Sequence, residues 1–378
     1  MLRKLKLFLF TMVMMLAAIN VTAAETASDS LPVKHHTPFF KSVGKVFSGF
    51  INSFSNVDTT FIEPQHYNYT VMLQNTNAYE SYTLRSKDGQ SITFAPEPSV
   101  KIGPYFGWRW IFLGYTFDVN HISGQSKKTE FDFSFYTQLF GIDLYYKKYG
   151  NDFRIRTLKM PNEDSKFKFK DVPFNGMTLD TKGFDLYYIF NHKKFSYPAA
   201  YAQSTMQKKS CGSALLGIGY MYNSISLDHE KLAQTINDYV QQMPGYEYSK
   251  LAVDSGLMFN RVTYSSFSIS GGYTYNWVFA KNCLFNASLS VAVAYKHSEG
   301  DNKASNKLDF DFKNFNFDGV GRFGIVWNNN TWFVGANYVI RSYYYHKNTF
   351  STNNYIGKLN IYAGLNFGKR KQYRNKKN

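Results

Sequence analysis

The stretch CLFNASLSVAVAYKH, residues 283–297, decides the fold. Phe285, Ala287, Leu289, Val291, Val293 and Tyr295 share one parity, and Asn286, Ser288, Ser290, Ala292 and Ala294 share the other. A β-strand turns successive side chains to opposite faces, so this segment has one apolar face and one small, polar face. The pattern returns at Phe267, Ile269, Tyr273, Tyr275 and Trp277 against Ser266, Ser268, Ser270, Thr274 and Asn276. It returns again at Leu359, Ile361, Ala363, Leu365 and Phe367 against Lys358, Asn360, Tyr362, Gly364 and Asn366. Long strands of this kind behind an export signal are the pattern of an all-β, transmembrane antiparallel barrel.

The first residues read as that signal. Arg3, Lys4 and Lys6 form a positive start, and Leu7 to Ile19 form an apolar run too short for a spanning helix. Val21, Thr22 and Ala23 suit a cleavage site, so 1–23 is expected to be removed. No later run of about 18 apolar residues reads as a membrane helix.

Composition agrees with a barrel. The chain holds 30 Tyr and 35 Phe, more rings than a soluble core needs. Barrels place such rings in girdles at the two membrane interfaces, and Trp108, Arg109, Trp110, Trp277 and Trp332 are the candidate anchors. The net charge of +16 would suit nucleic acid, but an exported address excludes that partner. Anionic lipid head groups of a bacterial outer membrane are the plainer partner. The basic tail, 369–378, reads as a solvated end. Cys211 and Cys283 begin two strands that flank a third, about 10 Å apart, too far for a disulfide. No Cys/His spacing suggests a metal, and no cofactor is expected.

Residues 24–64 read as a periplasmic linker with a short amphipathic helix over 39–54, carrying Phe39, Val43, Val46, Phe47, Phe50, Ile51 and Phe54. The barrel is expected over 65–368. Its strands are placed near 67–85, 91–106, 109–119, 129–137, 140–149, 182–191, 212–226, 265–278, 283–297, 307–327, 331–345 and 356–368. That makes about twelve, an even number that returns both ends to the periplasm. Tight turns are expected at Gly107-Trp108, Ala280-Lys281-Asn282 and Asn328-Asn329-Asn330, with long loops between them on the opposite, extracellular side. A change of parity from Phe312 to Phe323 calls for a β-bulge near Lys313–Asn316. Inside one long loop, residues 228–243 read as a helix: Asp228 caps it, and Leu232, Ile236, Val240 and Met243 make its stripe. The connection 192–211, with Phe195-Ser196-Tyr197-Pro198-Ala199-Ala200, is too long for a periplasmic turn; it is either a periplasmic flap or an inward fold.

The polar parity carries charge. Asp118, Asp132, Asp143 and Asp185 lie on four consecutive strands, while Lys296, Arg341 and Lys358 lie on later ones. Opposed walls of this kind either line a constriction for a passing solute or pair across a narrow lumen and seal it. Catalysis has a weaker footing. His121 with Asp118 and Ser123 is the tightest His grouping, but no G-x-S-x-G, H-E-x-x-H or H-x-x-E-H is present, so no catalytic residue is assigned.

Four runs carry a resemblance: Asp58-Thr59-Thr60-Phe61-Ile62-Glu63-Pro64, Tyr67-Asn68-Tyr69, Tyr105 to Tyr115 with its Phe-Gly-Trp-Arg-Trp core, and Phe195 to Ala200. They resemble an uncharacterised family of exported bacterial proteins, the domain of unknown function 4421 family, over roughly residues 56 to 368. The resemblance implies an outer-membrane barrel of a Gram-negative bacterium with no assigned activity. Gly107 would permit a tight turn there, and Arg109 would pair with a lumen acid or a lipid phosphate.

The expectation is a single outer-membrane barrel, foremost a narrow channel for small solutes. A sealed barrel acting as envelope scaffold or adhesin is the alternative, and a lipid-modifying enzyme the third reading. Its partners would be membrane lipids, with a small solute or a periplasmic protein.

Overall fold

Period-two alternation is what the backbone obeys. The computed structural model describes residues 57–108, 111–114, 116–119, 128–150, 152–160, 166–241, 253–299, 315–346 and 350–374. The chain divides into the units Met1–Asn52 and Ser53–Asn378, and every described residue belongs to the second. The signal peptide, the 39–54 helix, Arg109, Trp110, His121 and Ser123 lie outside the described residues.

The strands are β1 (Ile62–Pro64), β2 (Tyr67–Ser86), β3 (Ser91–Pro96), β4 (Ser99–Trp108), β5 (Ile111–Gly114), β6 (Phe117–Asp118), β7 (Thr129–Tyr136), β8 (Phe140–Gly150) and β9 (Phe153–Lys159). There follow β10 (Lys166–Phe174), β11 (Met177–Ile189), helix α1 (Tyr197–Tyr201), β12 (Thr205–Gln207), β13 (Cys211–Leu227) and helix α2 (His229–Gln241). The chain ends with β14 (Arg261–Ala280), β15 (Cys283–Glu299), β16 (Phe315–Asn328), β17 (Trp332–His346), β18 (Phe350–Lys369) and helix α3 (Lys371–Arg374).

All strands but β1 and β12 form one antiparallel sheet, in the order β10-β9-β3-β2-β18-β17-β16-β15-β14-β13-β11-β8-β7, with β4 beside β2 and β5 and β6 beside β4. Lys369 pairs with Tyr67, so the sheet begins and ends at one rim, the turn end. The short turns after β14 and β16 sit there, with Asn282 and Asn330 at positive φ, which a short polar side chain tolerates. Among the described residues no backbone pairing joins β7 to β5 or β6. Side chains cross there instead: Lys101 of β4 forms an ion pair with Glu130 of β7. At the opposite rim, the loop end, β9 is the next strand in the chain after β8 and pairs with β3.

The faces follow the parity read from the sequence. Leu289, Ile269 and Phe317 are 64%, 65% and 70% exposed, while Asn286, Ser288 and Asn276 are buried. Apolar side chains face out and polar ones in, the reverse of a water-soluble sheet. Inward glycines lie under rings of the neighbouring strand: a Cβ on Gly364 would collide with the Phe333 ring of its register partner.

Four expectations change. Gly107 is no turn residue; it pairs with Thr70 and Phe112 inside a ladder, because the strand runs on through Trp108. The stretch 150–181 is no bare loop, since β9 and β10 form a hairpin within it. Strands β11, β14 and β18 begin 4 to 6 residues earlier than alternation suggested, as their buried loop-end residues hide the pattern. From Phe315 onward β16 keeps one parity and an unbroken register, so Phe315 and Asn316 hold no bulge, and Lys313 and Asn314 lie outside the described residues.

Candidate functional site: an interior of three layers

At the loop end the interior is apolar. Helix α2 starts where Lys231 N–H donates to the Asp228 carboxylate at 3.0 Å, which satisfies a free helix-end donor. Its Leu232 and Ile236 are buried against Ile92 and Phe94 of β3, Phe153 and Ile155 of β9, Met177 of β11 and Tyr345 of β17, all in one cluster. Val240 of the expected stripe has no described side chain, and Met243 lies outside the described residues.

The middle layer is charged. Arg322 of β16 reaches Asp143 of β8 at 2.6 Å, and Arg341 of β17 reaches the same carboxylate oxygen at 3.1 Å. Ser134 donates to the other oxygen at 2.6 Å. Both members of the Arg322–Asp143 pair are 3% exposed, so the charges are compensated where little water reaches. Arg341 also faces Asp185 of β11 at 3.8 Å. Lys358 of β18 meets Asp132 of β7 at 3.2 Å, and that pair is about a third exposed. Lys296 is fully buried and stays on its own wall, bonded to Asp318 at 2.6 Å and to the Tyr344 carbonyl at 2.6 Å. Asp118 of β6 lies beside Lys101 in register, on the parity opposite the outward Phe117.

Alternation singles out both residues of the Lys358–Asp132, Arg341–Asp143 and Arg341–Asp185 pairs, and only one of the Arg322–Asp143 and Lys296–Asp318 pairs. Arg322, Asp318, Glu80, Lys147 and Glu130 share the inward parity of their strands, but charges are common on any polar face. The Tyr149 hydroxyl lies 2.8 Å from Glu80 and 2.7 Å from Glu130 and donates its one hydrogen between them, while Lys147 pairs with Glu80 and Lys101 with Glu130. This chain of contacts ties β8 and β7 to β2 and β4.

At the turn end the connection between β11 and β13 folds inward. Phe195, Ser196, Tyr197 and Ala200 are fully buried. Ser196 caps α1, and Pro198 sits near its start, where a missing N–H costs nothing. Tyr197 bonds Ser288 at 2.6 Å, and Tyr201 donates to Asn286 at 2.6 Å. Asn276 donates to the Ser196 carbonyl at 2.8 Å and to Gln207 at 3.0 Å. Gln203 donates to Tyr362 and accepts from Asn328, both at 3.0 Å. The small polar residues that face inward on β14 and β15 are thus a socket for this segment. Strand β1 pairs with β12, so the chain's first described strand lies along the inserted one.

The other sequence candidates lie at the rims. Trp108, Trp277 and Trp332 are exposed on the outer face near the turn end, where Trp327, Phe279 and Phe367 join them. Cys211 and Cys283 are free thiols at the starts of β13 and β15, on either side of β14. Among the described residues no group of three His, Cys, Asp or Glu could hold a metal ion.

Comparisons add the following. The outer membrane protease OmpT of Escherichia coli is similar at 9% identity and a TM-score of 0.35, over 79% of this chain and 97% of that one. The translocator domain of the autotransporter NalP of Neisseria meningitidis is similar at 9% identity and 0.29, over 87% and 96%. The outer membrane protein OprG of Pseudomonas aeruginosa is similar at 10% identity and 0.24, over 81% and 98%. Scores of this size transfer no residue role. No curated protein matches the sequence. A family model described as a domain of unknown function, DUF4421, matches residues 56–367, which take in the sheet, the inserted segment and the strand along it, and the chain belongs to that family.

Proposed function

We propose that this protein is an outer-membrane β-barrel of twelve wall strands, closed at rest, that serves the envelope as a sealed scaffold. The wall strands are β2, β3 with β4, β5 with β6, β7, β8, β11 and β13 to β18. The apolar outer face and the ring of Trp and Phe at the turn end support a membrane setting. In this reading the turn end faces the periplasm and the lid of α2 and β9–β10 faces outside. The surrounding lipids are its first partners, and a periplasmic protein is the partner a scaffold requires.

One observation carries the closed state. Asp143 is held by Arg322 and Arg341 from the far wall, in a layer capped by the inserted segment on one side and the apolar cluster on the other. An open constriction keeps its acidic and basic walls apart, each facing water. The Asp132–Lys358 pair, about a third exposed, favours the second reading, a narrow channel.

The test is planar-bilayer conductance of the detergent-folded protein, with folding confirmed by heat-dependent migration on a denaturing gel. A silent bilayer is the expected result. Steady current steps, with an ion preference altered by Asp132→Asn or Lys358→Gln, would overturn the closed reading in favour of the channel.

A further inference from the structure

The short arm Val57–Pro64 belongs to no wall strand. Its backbone pairing runs to the inserted segment. Asp58 N–H donates to the Lys193 carbonyl at 2.8 Å, and Lys208 N–H donates to the Phe61 carbonyl at 2.7 Å. Between them β1 pairs with β12 at Ile62–Gln207, Glu63–Met206 and Pro64–Thr205. The buried Gln207 amide donates to the carbonyls of Phe61, Lys194 and Lys209, and its oxygen accepts from the Ser196 N–H. Lys194 and Lys209 lie over the Phe61 ring at 5.2 and 5.5 Å. The arm therefore clasps both ends of the inserted segment.

The segment's hold on the wall is of another kind. Its hydrogen bonds to Gln138, Asn276, Asn286, Ser288, Asn328 and Tyr362 join neutral amides, hydroxyls and carbonyls. Such bonds exchange readily for water, with a net worth of about 0.5–1.5 kcal/mol each. Rings and aliphatic side chains pack beside them: Phe195 and Tyr197 on Tyr187, Ile189 and Leu215, Tyr197 and Tyr201 on Tyr136, and Ala199 and Ala200 on Leu284 and Val326. Water can solvate the polar groups of this socket when the segment leaves, and the arm adds its clasp to the apolar packing that opposes leaving.

We propose that β1 is the latch of a periplasmic gate: peeling Val57–Pro64 from β12 frees the inserted segment and opens the charged middle layer to the periplasm. This inference rests on the closed-barrel reading. A pull on Val57 acts first on Asp58 and then on β1, whereas β2 stays fixed in the wall from Tyr67 onward.

The test places a reporter thiol by Ala199→Cys in a Cys211→Ser/Cys283→Ser background of the full chain, folded into lipid. Its labelling by a hydrophilic maleimide is timed with the arm intact and with Ile62→Asp. Ile62 is fully buried, so the carboxylate expels the arm. Gln207→Ala is the second variant, which removes side-chain bonds and leaves the backbone ladder. Heat-dependent gel migration confirms folding in each. Slow labelling with the arm intact and labelling about tenfold faster or more in either variant is the expected result, a shift of about 1.4 kcal/mol in opening. Equally slow labelling in the folded variants overturns the latch and leaves the closed barrel standing. Fast labelling with the arm intact overturns the closed barrel itself, and the latch with it.

Discussion

Arg322 of β16 and Asp143 of β8 have four strands between them in the sheet yet meet at 2.6 Å. Arg341 shares the same carboxylate, so the three residues are not equivalent. Asp143→Asn leaves the buried Arg322 guanidinium without its anion and Arg341 with the more distant Asp185 alone, and is expected to cost about 3–5 kcal/mol. Arg322→Met leaves Asp143 with Arg341 and is expected to cost clearly less. Denaturant midpoints of the refolded variants, read by gel migration, check the order. Equal costs would mean that Arg341 does not hold Asp143.

The outer face is tested at Leu289, 64% exposed near the middle of β15. Leu289→Arg is expected to destabilise the protein in lipid by about 2–4 kcal/mol, whereas the change is nearly neutral on a face that meets water. Refolding into lipid vesicles at graded denaturant measures the difference.

Gly364 lies under the Phe333 ring, and no room remains for a methyl group. Gly364→Ala is expected to cost about 1–3 kcal/mol through overpacking. The cost should fall when Phe333→Leu removes the ring, which a double-mutant cycle on unfolding midpoints would show.

Asp58 at the start of the arm accepts from the Thr60 hydroxyl at 2.6 Å and from the Thr60 N–H at 2.9 Å. The Thr60 hydroxyl foremost, then its N–H, holds the carboxyl below its ordinary range. With the folded value under the unfolded one, this support for the arm is present above about pH 4 and fades as pH falls through the lowered value. Hydrogen exchange at the Thr60 amide, corrected for its intrinsic pH dependence, should show protection that is flat from neutral pH to that point. Asp58→Asn should abolish the fall.

Some of this was open to reading from the chain alone. Val291 and Phe367 declare the outer face because parity is a local property of any strand. Asp228, Leu232 and Ile236 declare a helix for the same reason. Arg322 and Glu80 made no such declaration, because an inward charge looks like any solvated charge until its partner is known. Gly107 misled, since glycine suits a turn and an interior strand position alike, and the ladder with Thr70 and Phe112 chose the second.

The sequence by itself determined the long wall strands, their two faces and the lid helix, though not the β9–β10 hairpin, since period two and period 3.6 are written between neighbours in the chain. Only the tertiary structure decided that Asp143 meets Arg322 and Arg341, that Ser196 to Gln207 turn inward, and that β1 lies along them. Those contacts join residues far apart in the chain, and which groups meet inside a curved sheet depends on the register and order of its strands, which no local pattern records.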